Sequence, residues 1–469
     1  MTSCHDLFYN APLVISEGRK MAINSLITPQ NAVFVIISFE GPDRYSLAGG
    51  LGVRVSELSK ALAESGFQTH LYFIGDPNEK PEERLLDGKL VLHRWCQWIS
   101  KYHPKGVYQG ELEKKSDFDR SLPVRLAEDI VRPAAAEGEV VVIMAEEWHT
   151  ADVTIAISDL LHYLKLRDKV IILWNANNTM GFERINWVRL NFVSQLTAVS
   201  KYMKHEMWKL GVNPIVLHNG IPGRLLDEPN EEYVTRIRNA FKSRTLLFKV
   251  GRWDPDKRWN MAMEAIAHLK QMGAKPLLLA RGGMEPYEGE VMARAANLGL
   301  SVRPLRLPDG VRPTPETFLQ AIEAANTNVE VINLKFFVEE ELLRALYRSA
   351  DCVLANSGME PFGIVGLEAM AAGGIVFTGA TGEDYARTFE NAVVVESDDA
   401  LEIAYYVQRI IGDEELRKSI KEAAWQTAKN YTWDKIVAEL LTKLEYIAMK
   451  NGVNIEHHQT SEVSETSEV

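Results

Sequence analysis

The chain has 469 residues, more than one hydrophobic core usually organises, so two domains are expected. With 46% apolar and 25% charged residues the composition is that of an ordinary globular enzyme, and a net charge of −12 argues against nucleic acid as a main partner. Three cysteines, Cys4, Cys96 and Cys352, are odd in number and far apart, which indicates neither a disulfide framework nor a cysteine-built metal site. Residues 1–30 lack the order of a signal peptide, and no stretch reaches transmembrane length without charge. A cytoplasmic location is therefore expected. A peripheral membrane contact stays open, because composition is blind to an amphipathic surface.

In the amino-terminal half, residues 32–39 are apolar except for Ser38 and read as a first buried strand. A polar loop with Gly41 and Pro42 leads to Gly49-Gly50-Leu51-Gly52 and a helix with Val53, Leu58, Leu62 and Ala63 as its apolar positions. Residues 69–75 form the next strand. Strand, glycine-rich turn, helix and strand make a Rossmann-like opening, and backbone N–H groups at Gly50 and Leu51 could cradle a phosphate. Residues 76–138 are the least transparent part. Trp95 and Trp98 are expected to be buried there, with stacking on a sugar ring as the other reading of such aromatics. The strand 140–145 delivers Glu146-Glu147-Trp148-His149, and the strand 170–175 ends at Asn175, with Asn178 just beyond. Ser200 is placed to cap a helix, and Asn219-Gly220 reads as a turn.

Residues 223–243 are polar and charged and read as the linker. A second parallel sheet starts at residues 244–250 and delivers Gly251-Arg252, with Lys257 five positions after the arginine. Further strands are read at 277–280 and 331–334. Phe336 and Phe337 either stack near a base or pack in the core. The apolar run 352–356 then opens on residues 357–374, which read as loop and helix before a strand at 375–377. Glu360 and Glu368 are offered there to one crevice at the carboxyl end of a strand, where open α/β sheets bind ligands.

Glu360-Pro361-Phe362-Gly363, the second glutamate Glu368 and Ala369-Met370-Ala371 with Gly373 together resemble the donor-site signature of retaining GT-B glycosyltransferases. Family 4 (glycosyl transferases group 1) is the most similar group, with glycogen and starch synthases as near relatives. The resemblance covers roughly residues 32–450. It implies an α/β chain of two Rossmann-like β/α/β domains facing each other across a cleft, with a carboxyl-terminal helix returning to the first domain. The expected boundaries are an extension over 1–30, an acceptor-side domain over 31–225, a nucleotide-sugar donor domain over 244–430, a returning helix over 431–450 and a disordered tail over 451–469.

The same resemblance assigns roles. Arg252 and Lys257 would hold the donor diphosphate, where negative charge grows as the sugar–phosphate bond breaks. Glu368 would take the ribose hydroxyls. Glu360, with backbone from Pro361, Phe362 and Gly363, would fix the sugar. His149 would stand by the reacting centre from the opposing domain, and Gly49, Gly50 and Leu51 would lie by the donor phosphates and sugar, with Asn178 or Asn175 facing the cleft. The synthase lysine and aspartate that flank the glycine loop fall on Leu47 and Val53 here, a departure that counts against a polymer-extending enzyme. The implied reaction is retaining, metal-independent transfer of a hexosyl group, glucosyl by preference, from a UDP-, ADP- or GDP-sugar to a hydroxyl acceptor, with no further cofactor. Disaccharide synthesis or phosphorolysis, glucan synthesis, sugar-nucleotide epimerisation and non-catalytic binding are the alternatives.

Overall fold

The computed structural model describes residues 26–325, 328–381 and 384–455. The extension over 1–25, Cys4, Gly382, Glu383 and the tail from 456 lie outside the described residues.

The first sheet is built from β1 (Ala32–Ile37), β2 (Gln68–Ile74), β3 (Glu82–Leu85), β4 (Leu90–Trp95), β5 (Val140–Glu146), β6 (Val170–Ala176), β7 (Gln195–Ala198) and β8 (Ile215–Val216). Their order is β3-β4-β2-β1-β5-β6-β7-β8, parallel except for the β3–β4 edge. All six residues of β1 are buried, as a central strand covered on both faces requires. The second sheet contains β9 (Thr245–Val250), β10 (Pro276–Arg281), β11 (Val302–Leu305), β12 (Val331–Leu334), β13 (Cys352–Ala355), β14 (Val376–Thr378) and β15 (Val393–Val394), in the order β11-β12-β10-β9-β13-β14-β15. Both sheets are thus doubly wound, with the order reversing beside β1 and beside β9. The carboxyl ends next to those reversals are where ligands meet such a sheet.

Two crossings join the halves side by side. Ile221 N–H donates to Tyr431 O at 2.8 Å, and Trp433 N–H donates to Ile221 O at 3.0 Å. Gly220 is held against the Trp433 indole so closely that a Cβ would fall 2.5 Å from the ring. The helix Trp433–Asn451 then lies on the first sheet, where Trp433, Ile436, Leu440 and Leu444 share a core with Phe34, Ile36, Val142 and Ile171. This helix extends through Asn451, and Val453 behind it is 6% exposed, so the expected disordered tail cannot begin at 451.

Three further expectations are corrected. Val53 is 50% exposed rather than on the core side of its helix, because Val55, Leu58 and Leu62 already fill that face. Trp98 is 62% exposed, since it follows the end of β4 on a short helix that turns outward, where its indole N–H donates to Asp117. Trp95, half-buried, donates instead to Ser121 at 2.7 Å. In that opaque region β3 is polar and exposed, and β4 opens on the short buried run Leu90-Val91-Leu92, which the sequence reading passed over. β4 carries His93, stacked on Tyr72, and Arg94, paired with Asp43 and Glu83.

Candidate functional site

The second sheet presents a loop from each of its two central strands. Beyond β9 the chain runs through Gly251 and Arg252 to a 3-10 turn, Pro255–Lys257, capped by the Asp254 side chain. Beyond β13 it runs from Asn356 through Glu360 to the helix Ile364–Ala371. The two loops meet: Gly358 N–H donates to Asp256 O at 2.7 Å, and the Lys257 ammonium donates to Glu360 Oε2 as a part-buried ion pair. Arg252 is exposed beside them, its backbone carbonyl taking the Trp259 indole N–H at 2.7 Å. Arg258 is paired with Asp398 at 2.6 Å.

The donor-loop backbone is fixed from behind. Thr381 Oγ1 accepts from Glu360 N–H at 3.1 Å and donates to Gly358 O at 2.7 Å. The strand exit opposite needs glycine, since a Cβ on Gly379 would sit 2.0 Å from Ser357 O. Gly363 ends the loop at φ +72, a left-handed conformation, and the helix begins only after it, at Ile364. Pro361 therefore precedes the helix rather than forming its first turn. Proline also has no N–H to offer, which leaves Phe362 and Gly363 as backbone donors. The Phe362 ring is 3% exposed and packs among His218, Tyr385 and Tyr431, so this side chain supports the loop rather than facing the crevice. Glu368 lies just over one turn into the helix, and its carboxylate accepts from the buried Tyr347 hydroxyl at 3.2 Å. Burial pushes the Glu368 carboxyl up to about 7, against the Tyr347 hydrogen bond, which favours its charged form.

The first sheet presents a different kind of surface. The glycine turn forms the start of the helix Gly50–Glu64, and two of its N–H groups, those of Gly49 and Gly52, are already answered from within. Glu40, the carboxylate one loop residue beyond Phe39, accepts from Gly49 N–H at 2.9 Å and Gly52 N–H at 3.0 Å and also receives the Tyr108 hydroxyl. An internal carboxylate thus occupies the anion-favouring helix start. Leu47 and Val53 stand exposed on either side, at 46% and 50%.

His149 is 3% exposed, its ring stacked on Phe39 at 4.2 Å and against Trp148 at 3.9 Å. Its Nε2 lies 2.6 Å from Glu111 Oε1, and burial outweighs that carboxylate to push the imidazole down to about 4. The neutral ring therefore gives its Nε2 proton to Glu111 and keeps Nδ1, buried and without a hydrogen-bond partner, as an acceptor. Glu147 has φ +69 and a buried carboxyl that accepts from Asn177 and Asn178 N–H; burial pushes it up to about 8. Asn178 Oδ1 accepts from Met180 N–H, while Asn175 is buried and donates to Glu146.

The structure therefore gathers the predicted residues into two groups. Arg252, Lys257, Glu360 and Glu368 form one, on the second sheet. Gly49, Gly50, Leu51 and His149 form the other, together with Glu40, Tyr108 and Glu111, which sequence reasoning had passed over. A carboxylate directly after a strand was the available signal for Glu40; Tyr108 and Glu111 lie in the region without readable periodicity. Among the described residues no hydrogen bond or ion pair links the two groups directly. They are joined around the rim, where Asp384 accepts from Lys201 N–H at 2.8 Å and lies 3.0 Å from His218 Nε2. Phe337 is 71% exposed under the Arg281 guanidinium at the end of β10, whereas Phe336 stacks on Phe318. Among the described residues no cluster of three or more His, Cys, Asp or Glu is arranged to hold a metal ion.

The chain is similar in structure to the starch synthase IV catalytic domain of Arabidopsis thaliana, solved with ADP and acarbose. The two superpose with a TM-score of 0.63 at 16% identity, over 90% of this chain and all of that one. The fold is GT-B. The family model described as glycosyl transferases group 1 matches residues 310–427, the segment that carries Glu360 and Glu368. The GT-B fold thus spans the chain, and its residues 310–427 match the group 1 glycosyltransferase model. An uncharacterized glycosyltransferase of Methanocaldococcus jannaschii is 38% identical over 106 residues, a match that spans 22% of this chain and 27% of that relative. A D-inositol 3-phosphate glycosyltransferase of Thermomonospora curvata is 22% identical over 431 residues, covering 87% of this chain and 92% of the relative. No helix among the described residues is long and apolar enough to cross a membrane.

Proposed function

We propose that the chain transfers a hexosyl group, glucosyl by preference, from a nucleoside diphosphate sugar to a hydroxyl acceptor, with retention at the anomeric carbon. The observation that carries this reading is the meeting of Lys257 and Glu360 at the carboxyl ends of β9 and β13, beside exposed Arg252. A diphosphate set against Lys257 and Arg252 would bring the sugar to Glu360 and to the N–H groups of Phe362 and Gly363. Glu368 would face the ribose. Charge appearing on the leaving diphosphate would then be met by fixed cations that need no reorganisation.

His149 would stand by the reacting centre from the other domain as a neutral imidazole, held in its tautomer by Glu111. Closure of the two domains would exclude water from the donor. The leaving phosphate would take the proton of the attacking hydroxyl on the face it departs from. A glucan-extending role is less favoured, because the exposed apolar pair Leu47 and Val53 and the clamp of Glu40 on the glycine turn offer a phosphate no cation there.

The starch synthase neighbour holds ADP, so ADP-glucose belongs in a donor screen beside UDP- and GDP-sugars. The expected result is that one of them raises the melting temperature and, with a suitable hydroxyl acceptor, yields product of the donor's own anomeric configuration by NMR. Product of inverted configuration would overturn the retaining reading, and turnover of donor to a free epimer would favour the epimerase alternative.

A further inference from the structure

Lys249 is a basic residue inside a central parallel strand, 2% exposed, where such strands carry apolar side chains. Its ammonium donates to Asn356 Oδ1 at 2.7 Å and to Leu354 O at 3.2 Å and lies 5.1 Å from the centre of the buried Trp259 ring. These are a neutral amide, a carbonyl and an aromatic face. Among the described residues its hydrogen-bond partners include no carboxylate. Nearby charges are already matched, Lys257 with Glu360 and Arg258 with Asp398. A buried charge with no counter-charge is costly, and such costs persist where something else compensates them.

The place suggests what compensates. Asn356 is fully buried and is the last residue before the loop that carries Glu360, so Lys249 ties the root of that loop to the strand that leads to Arg252 and Lys257. We infer that Lys249 is a positioning residue for the donor: it holds the root of the Glu360 loop, and the diphosphate, when bound, supplies the counter-charge that the buried ammonium lacks. This rests on the reading of the cleft as a sugar-nucleotide site. The charged groups that act on Lys249 are Lys257 and Arg258 from the loop after β9 and Glu360 from the loop after β13; Trp259 and Leu354 meet it with a ring and a carbonyl. Burial above all, with Lys257 next, lowers its ammonium to about 7. An arriving diphosphate raises that value again, so binding should draw in a proton at a pH above 7.

The test is isothermal calorimetry with UDP-, ADP- and GDP-glucose, whose diphosphates carry no group that titrates near neutrality. It is run at pH 8 and pH 6 in two buffers of different ionisation enthalpy. Uptake of a large fraction of one proton per donor is expected at pH 8, and little at pH 6. Glu368 and Glu147 also titrate in this range, so the Lys249→Met variant supplies the difference. It should lose the uptake and bind the donor about tenfold more weakly, while melting at the same temperature or higher because an isosteric apolar side chain removes the buried charge. Donor binding without proton uptake in the wild type would overturn the inference whether or not the variant folds. So would a variant that binds as tightly as the parent. If none of these three sugar nucleotides binds the wild type, the donor-site reading falls and this inference with it.

Discussion

Replacing Lys257 with alanine is expected to lower kcat/KM of transfer by ~10²–10³, the scale on which removal of one preorganised electrostatic group at a developing charge is felt. The lysine has two tasks in this geometry. It would meet the leaving diphosphate, and in the structure it neutralises Glu360, whose side chain is 20% exposed. Its loss therefore leaves Glu360 as an uncompensated carboxylate facing a dianion, and donor affinity and the chemical step should both suffer. Lys257→Arg should recover only part of the loss, since a planar fork cannot reproduce a compact ammonium between Glu360 and a phosphate. Steady-state kinetics with the donor found in the screen, together with a melting curve to show an intact fold, checks both variants. An alanine variant within threefold of the parent would remove Lys257 from the site.

The largest effect on stability is expected at Arg54. Its guanidinium Nε lies 3.1 Å from Glu146 Oε2, with side-chain exposures of 4% and 0%, and its Nη1 donates to Asn219. Three parts of the first domain are tied at this point: the helix after the glycine turn, the end of β5 just before His149, and the turn that leads to the crossing at Ile221. Arg54→Leu leaves Glu146 as a buried charge supported by Asn175 and Asn177 alone and should cost ~3–5 kcal/mol in urea unfolding. The Arg54→Leu, Glu146→Leu double variant should lose less than the two single variants added together, because neither charge is then stranded. Strict additivity would mean that the pair is not coupled.

Much of the architecture was legible because parallel strands buried on both faces leave unbroken apolar runs, as in β1, β5 and β6. Glu360, Glu368, Arg252 and Lys257 could be picked out by their resemblance to a donor-site signature, and the loops that open toward them follow such runs. The rest was carried by long-range packing. β4 hides a histidine and an arginine that only a stacked tyrosine and the carboxylates of Asp43 and Glu83 make tolerable. Phe362 could not be sorted from a ligand-facing aromatic without knowing that His218, Tyr385 and Tyr431 close around it. Glu40, which binds the Gly49 and Gly52 N–H groups, comes from nine residues upstream of Gly49, a pairing no local pattern announces. Trp98 and Tyr102 border an open groove with Leu112, Asp117 and Arg120, a surface that no periodicity in residues 76–138 announces.

The central claim is that a sugar carried on a diphosphate reacts beside Glu360, and transfer by Glu360→Ala measures it most directly. With donor and acceptor saturating, the variant is expected to keep the parent's melting temperature within a few degrees and to lose at least ~10²-fold in kcat, as removal of a group bound to the reacting sugar should. Transfer at the parent's rate by a folded Glu360→Ala protein would contradict it.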